Sequence, residues 1–239
     1  MSLLVVEGLT KSFAGLTAVN AVDVTVAEHE FLGIIGPNGA GKTTLFSLLS
    51  GQIRPTHGRV VFDGTDITGW SPAKIADAGL VRTFQLMRPF ESMSVLDNVA
   101  IAAHHRHRSR KAARRHALEV IDRIRLDKYV HAPSGSLPSA GLKRLELARG
   151  LALEPRLLLL DEVLAGLVPA ERAPIIELLR EIHADGVTVM FVEHIMAAVM
   201  ALSQRLLVMA EGSELALGDP QEVIADPRVI EAYLGEDYA

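Results

Sequence analysis

The chain has 239 residues, 24 Lys and Arg against 29 Asp and Glu for a net charge of −5, and is 49% hydrophobic and 22% charged. That length supports one large domain or two small ones around a real core, and the composition excludes disorder as the main state. The absence of cysteine excludes disulfide scaffolds, thiolate metal sites and cysteine nucleophiles, and the acidic total weighs against nucleic acid as the principal partner.

From the N-terminus, residues 3–6 and 22–26 have strand character, the second alternating as Val-Thr-Val. Residues 31–35 form a short apolar strand ending at Gly36, and residues 59–62 another after the turn-forming run Pro55-Thr-His-Gly58. A strand at 81–84 follows. Residues 95–124 contain no Gly or Pro and favour one long helix. A Pro/Gly/Ser cluster at 133–139 breaks the chain before a second helical run to about residue 153. Strands return at 157–160, 187–192 and 206–209, separated by helices that begin near Pro169 and Ile195. The order predicts one domain: an α/β core over 1–84 and 156–239, interrupted by a mostly helical insertion at 85–155. No apolar stretch approaches the ~20 residues of a spanning helix, and the first residues lack the basic region and apolar run of a signal peptide. Neither a membrane span nor a secretory leader is expected.

The strongest chemical signal is Gly36-Pro37-Asn38-Gly39-Ala40-Gly41-Lys42-Thr43, which fits G-x-x-x-x-G-K-[ST] at every fixed position. An apolar strand precedes it and a helix-favouring run from Thr44 to Leu49 follows. Glycines let backbone N–H groups curl around phosphate oxygens, and the helix start adds partial positive charge. Lys42 would reach the β- and γ-phosphates, and the Thr43 hydroxyl would ligate Mg²⁺. The run Leu157-Leu-Leu-Leu-Asp161-Glu162 carries two acids to the carboxyl end of a core strand, the edge where open α/β sheets bind ligands. Asp161 suits Mg²⁺ coordination and Glu162 suits activation of the attacking water. Because the phosphate loop and these acids serve one reaction, they are expected to share one site. Phosphoryl transfer needs further polar groups around the γ-phosphate; Gln85 and His194, each just after an expected strand, are the candidates.

In this order the pieces resemble the nucleotide-binding domain of an ATP-binding cassette (ABC) transporter, over essentially the whole chain. The resemblance rests on Gly8-Leu-Thr-Lys-Ser-Phe13, the phosphate loop, Arg82-Thr-Phe-Gln85, the Leu-Glu-Leu-Ala-Arg run at 145–149, Asp161-Glu162 and Val192-Glu-His194. It implies an α/β fold: a P-loop NTPase core with a mainly parallel sheet, an N-terminal antiparallel β portion and a helical insertion. It further implies that Phe13 stacks on adenine, that Gln85 couples Mg²⁺ and γ-phosphate to transmembrane subunits, and that His194 contacts the γ-phosphate. ATP and Mg²⁺ are the implied cofactors. A narrower resemblance, to the ATP-binding subunit of branched-chain amino acid importers, is carried by Met93-Ser-Val-Leu-Asp-Asn98, Ala165-Gly-Leu167, Glu193-His-Ile-Met196 and Val229-Ile-Glu-Ala-Tyr-Leu-Gly-Glu236. Lipopolysaccharide-export ATPases share part of it. The implied partners are two transmembrane permease subunits, a second ATP-binding subunit and, indirectly, an extracytoplasmic substrate-binding protein. The implied location is peripheral, on the cytoplasmic face of the membrane. Two other readings are a soluble ABC ATPase that remodels nucleic acid or protein, and a module using ATP only as a dimerisation switch.

The family's signature loop, Leu-Ser-Gly-Gly-Gln, completes the ATP site of the opposite subunit. Here it reads Leu137-Pro138-Ser139-Ala140-Gly141. Pro138 removes a hydroxyl and an N–H, and Ala140 adds a Cβ where close backbone approach is expected. Val168 stands where Asp or Asn is common after Ala-Gly-Leu. These departures suggest two unequal ATP sites, with this chain's own Glu162 and His194 intact and a different partner supplying the better signature. Between His104 and His116 lie six basic side chains and four histidines with no acid. That stretch is read as a solvated helical face; His104, His105 and His107 lack a neighbouring carboxylate for a metal site. Trp70 and the Met-rich 195–209 stretch are read as packing residues.

Overall fold

The computed structural model describes residues 2–83 and 89–234. Its first elements are strands β1 (Ser2–Phe13), β2 (Leu16–Ala27) and β3 (Phe31–Ile35), helix α1 (Lys42–Leu49), strands β4 (His57–Phe62) and β5 (Thr65–Asp66), and helix α2 (Pro72–Ala78). Next come β6 (Leu80–Arg82), helices α3 (Val95–Ala103), α4 (Arg110–Arg123) and α5 (Ser139–Leu151), then β7 (Leu157–Asp161) and α6 (Pro169–Ala184). The chain finishes with β8 (Thr188–Val192), α7 (Met196–Leu202), β9 (Arg205–Ala210), β10 (Ser213–Gly218), α8 (Pro220–Ile224) and α9 (Pro227–Leu234). Two compact units result: Met1–Leu80 with Thr188–Ala239, and Val81–Val187.

In the first unit β1 pairs antiparallel with β2 and β4, and β5 extends β4. The alternation expected for a sheet with one solvated face is visible in β2, where Val22, Val24 and Val26 are buried and their neighbours exposed. A second sheet centres on β3, which runs parallel to β8 on one side and β9 on the other; β10 returns antiparallel on β9. All five residues of β3 and of β8 are buried. That is why both read as continuous apolar runs: parallel strands covered on both faces have no polar side to show. Phe31 and Phe191 meet edge-on, ring centroids 5.0 Å apart, a favoured aromatic geometry.

The second unit holds β7, buried along its whole length, with Thr83, just past β6, donating its N–H to the Leu159 carbonyl at 3.0 Å. Around α3, α4 and α5 the single helix expected over 95–124 is two helices. Ser109 ends the continuity: in extended backbone it accepts the Ala112 N–H at 3.1 Å and caps α4. Arg106 Nε donates to the Leu153 carbonyl at 2.8 Å, drawing the intervening turn onto the end of α5. In the first unit, β5, α2, β10, α8 and α9 have no counterpart among the expected elements. They are short, and α8 depends on a cap, with Asp219 Oδ1 accepting the Gln221 N–H at 2.8 Å, rather than on any apolar period. No described helix is long and apolar enough to cross a membrane.

Candidate functional site

The phosphate loop leaves β3 at Ile35 and enters α1 at Lys42. Its three glycines all have positive φ, Gly39 at +81°, and at two of them a Cβ would also have no room. Gly36 has φ +152°, and a Cβ there would meet the Met209 carbonyl oxygen at 2.1 Å; Gly41 has φ +96°, and a Cβ would meet Ala18 O at 2.3 Å. Gly41 is also the N-cap of α1, which has no side-chain cap and no acid in its first turn. That turn therefore offers its own amide donors no side-chain acceptor, a condition that suits an incoming phosphate. Lys42 Nζ folds back to donate to the carbonyls of Gly36 and Pro37, the latter at 2.8 Å. Thr43 is exposed and Thr44 half-buried. Ala40 is held from behind by the Gly212 N–H at 3.2 Å.

His194 belongs to the same unit. Parallel pairing of Ile34 with Val192 sets the carboxyl ends of β3 and β8 side by side, and the Glu193 N–H donates to the Ile34 carbonyl at 3.4 Å. The exposed His194 thus follows the strand adjacent to the one that feeds the phosphate loop. Phe13 ends β1 and is 44% exposed, with Lys11 Nζ 4.9 Å from its ring centroid. It is not a core residue; Lys11 lies over one side of the ring and the rest is open to solvent.

In the second unit Asp161 closes β7 with a side chain that is fully buried, and Arg82 Nη2 donates to its Oδ2 at 2.7 Å. Asp161 Oδ1 is buried and makes no hydrogen bond among the described residues. A buried carboxylate oxygen with open lone pairs fits a hard cation or a water bound to one. Glu162 follows with φ +50°, a left-handed backbone that bulky L-residues rarely adopt and that clusters at functional sites. Lys143, buried in α5, donates to the Glu162 carbonyl at 3.4 Å. Gln85 lies outside the described residues.

The altered signature loop starts α5. Pro138 is the N-cap and gives no side-chain hydrogen bond; Ser139 is exposed, Ala140 half-buried and Gly141 buried. Gly141 packs tightly, since a Cβ there would meet Leu137 Cβ and Pro138 Cδ at 3.3 Å.

Residues 19–165 match the family described as ABC transporter. The chain belongs to the ABC transporter family. It is an ABC-type ATPase, homologous to the ATP-binding subunits of branched-chain amino acid transporters. Residues 214–239 match a second family, described as branched-chain amino acid ATP-binding cassette transporter. The chain is 39% identical to the high-affinity branched-chain amino acid transport ATP-binding protein BraF of Pseudomonas aeruginosa, covering 98% of each chain. It is 37% identical to the corresponding LivG protein of Escherichia coli, again over 98% of each. Among solved structures, a nucleotide-free ATP-binding cassette from an ABC transporter superposes with a TM-score of 0.90 at 30% identity, over 98% of this chain and 99% of that one.

Three contacts of this ABC ATPase escape sequence reasoning. Arg82 was visible only as part of a resemblance, and its pairing with Asp161 required the fold. Lys143 beneath Glu162 carried no signal, because a lysine in a helix is ordinarily solvated. Partial burial pushes the phenol of Tyr233, on α9, up to about 12, against the smaller opposing pull of a hydrogen bond with the Gly36 backbone. A C-terminal helix thereby braces the first residue of the phosphate loop.

Proposed function

We propose that this chain is the ATP-hydrolysing subunit of an importer for branched-chain or other hydrophobic amino acids, held peripherally at the cytoplasmic face of the membrane by two permease subunits. The observation that carries this reading is the phosphate loop, complete in sequence and shaped by Gly36 and Gly41 with an uncapped α1 behind it, in a chain 39% identical to BraF from end to end. Among the alternatives, the match of residues 214–239 to the branched-chain amino acid cassette family favours this importer over a lipopolysaccharide-export or soluble ATPase.

Each residue has a role set by its chemistry. The loop amides and Lys42 bind the β- and γ-phosphates, with Lys42 exchanging its present carbonyl partners for phosphate oxygens. Phe13 stacks on the adenine. Thr43, Asp161 and Gln85 are the proposed Mg²⁺ ligands, direct or through water. Bound Mg²⁺ would offset charge on the phosphate oxygens. Glu162 accepts a proton from the water whose oxygen attacks the γ-phosphorus as the bond to the ADP oxygen breaks, and His194 holds the γ-phosphate in line.

The signature loop supports a second ATP-binding subunit of different sequence. Pro138 offers neither hydroxyl nor N–H to a nucleotide on that partner, whereas this chain's own catalytic set is whole. Glu162→Gln should lower transport-coupled ATPase activity by about 10²–10⁴-fold while leaving ATP binding in place. The equivalent substitution in the second subunit should cost much less; equal losses from the two would sink the asymmetric scheme, and an unaffected rate in Glu162→Gln would sink the role of Glu162.

A further inference from the structure

The basic stretch read as a solvated face is exposed at His104, His105, Arg108, Arg110, Lys111 and Arg115, but four of its side chains are engaged with the protein. Arg106 bonds the end of α5, Arg114 pairs with Asp97, and two of its histidines turn inward onto a carboxylate that sequence distance had hidden. His107, in the turn between α3 and α4, and His116, within α4, face each other with ring centroids 4.7 Å apart and planes tilted by 50°. Glu154, just beyond α5, brings Oε1 to 3.2 Å from His107 Nε2 and 3.7 Å from His116 Nε2. Both Nε2 atoms are shut off from solvent and make no hydrogen bond among the described residues. Glu154 reaches this position from a left-handed backbone, φ +51°, a conformation that a glutamate rarely adopts and that the surrounding structure must impose.

From this cluster we propose that His107, His116 and Glu154 form a binding site for a divalent cation of the zinc class. One atom from each residue, all within 4.8 Å of one another, supplies the ligand set. Bonds of 2.0–2.2 Å at tetrahedral angles place ligand atoms about 3.3 Å apart, and the two Nε2–Oε1 separations bracket that length. Two imidazoles with one carboxylate select Zn²⁺, Co²⁺ or Ni²⁺ over Mg²⁺ or Ca²⁺, which prefer oxygen alone. The other ring nitrogen of His116, Nδ1, faces Glu119 Oε2 at 3.6 Å, and a small closure of that gap would make it the outer-sphere carboxylate that orients a metal-bound imidazole. Glu154 is half exposed, leaving water as the fourth ligand. The ion would staple the α3–α4 turn, α4 and the end of α5 together. None of this depends on the nucleotide reading, because no residue of the cluster belongs to the proposed ATP machinery.

The test uses the untagged full-length chain, stripped with chelator and free of nucleotide, titrated with Co²⁺ and then with Zn²⁺. Visible d–d absorption of a four-coordinate Co²⁺ centre should saturate at one ion per chain and be displaced by Zn²⁺, while Mg²⁺ leaves it unchanged. His107→Ala, His116→Ala and Glu154→Gln should each weaken Co²⁺ binding by at least about tenfold, and Zn²⁺ should raise the melting temperature of the wild type but not of these variants. His116→Gln serves where the alanine variant fails to fold. A His104→Ala/His105→Ala variant should keep the full signal. Absence of a Co²⁺ band in the wild type at micromolar metal, or its persistence in the His107→Ala/His116→Ala double variant, overturns the site and leaves the cluster as imidazole–carboxylate contacts only.

Discussion

At the scale of single residues, buried polar groups decide most. Asn98, wholly buried in α3, accepts the Phe90 N–H at 2.9 Å and has the carbonyls of Phe90 and Ser94 and the hydroxyl of Ser134 within 3.2 Å of its amide nitrogen. Its two N–H donors serve two of these at a time, so the network is full without being over-committed. Asn98→Ala would strand several of these groups out of reach of water, and should lower unfolding free energy by about 2–4 kcal/mol in urea titrations; a loss under about 1 kcal/mol would mean that water or repacking replaces the network. Tyr233 offers a sharper readout. Its folded value, raised by burial from 10.0 to about 12, means that its contribution to stability is present below the ordinary tyrosine range and is lost as pH rises through the folded value. In an alkaline titration followed by tyrosinate absorbance, Tyr233→Phe should delete a step that lies well above the ordinary tyrosine range. An unchanged late step would remove the brace between α9 and Gly36.

At the scale of elements, helix ends carry the departures from family pattern. Val168 is the N-cap of α6, yet it has no side-chain acceptor for the free amides of the first turn. Only the reverse half of a capping box forms, with the Val168 N–H donating to Glu171 Oε2 at 3.2 Å. Val168 is also 57% exposed, so nothing is lost from the core by replacing it. Val168→Asp should stabilise the protein by about 1 kcal/mol, measured as a shift of the denaturation midpoint at unchanged slope. A neutral or negative result would mean that the extended Val168 backbone cannot aim a carboxylate at the amides. By contrast, α3 is capped on both sides of the bargain: Ser94 Oγ accepts the Asp97 N–H at 3.0 Å and donates to Asp97 Oδ2 at 2.6 Å. That hydroxyl first, and Arg114 after it, hold the Asp97 carboxyl below its ordinary value, against the opposing push of burial.

For the molecule as a whole, the proposed inequality of two ATP sites rests on the altered signature loop, which begins with Pro138 as the N-cap of α5. Restoring the family pattern with Pro138→Ser and Ala140→Gly should raise the ATPase rate of this chain assembled with itself severalfold, and should change little when a better signature comes from a different subunit. No gain in the self-assembled form would place the limit elsewhere than in Pro138 and Ala140.

Much of this protein is legible in its sequence, and physics says which part. Gly36 to Thr43 is a local device: its glycines, lysine and helix start act over one turn of chain, so spacing alone predicts its shape. The same holds for the buried strands, where apolar runs at 31–35, 157–160 and 187–192 can be satisfied only by cover on both faces. The break at Ser109 was missed because helix propensity across 95–124 is uniform and a single cap overrides it. What only tertiary structure decided is which distant groups meet: Arg82 with Asp161, Tyr233 with the Gly36 backbone, and His107 and His116 with Glu154. Those meetings depend on the packing of whole elements, and for Arg82 and Asp161 the low-dielectric interior makes the meeting consequential. A stretch with no acid in its sequence thereby acquired one in space.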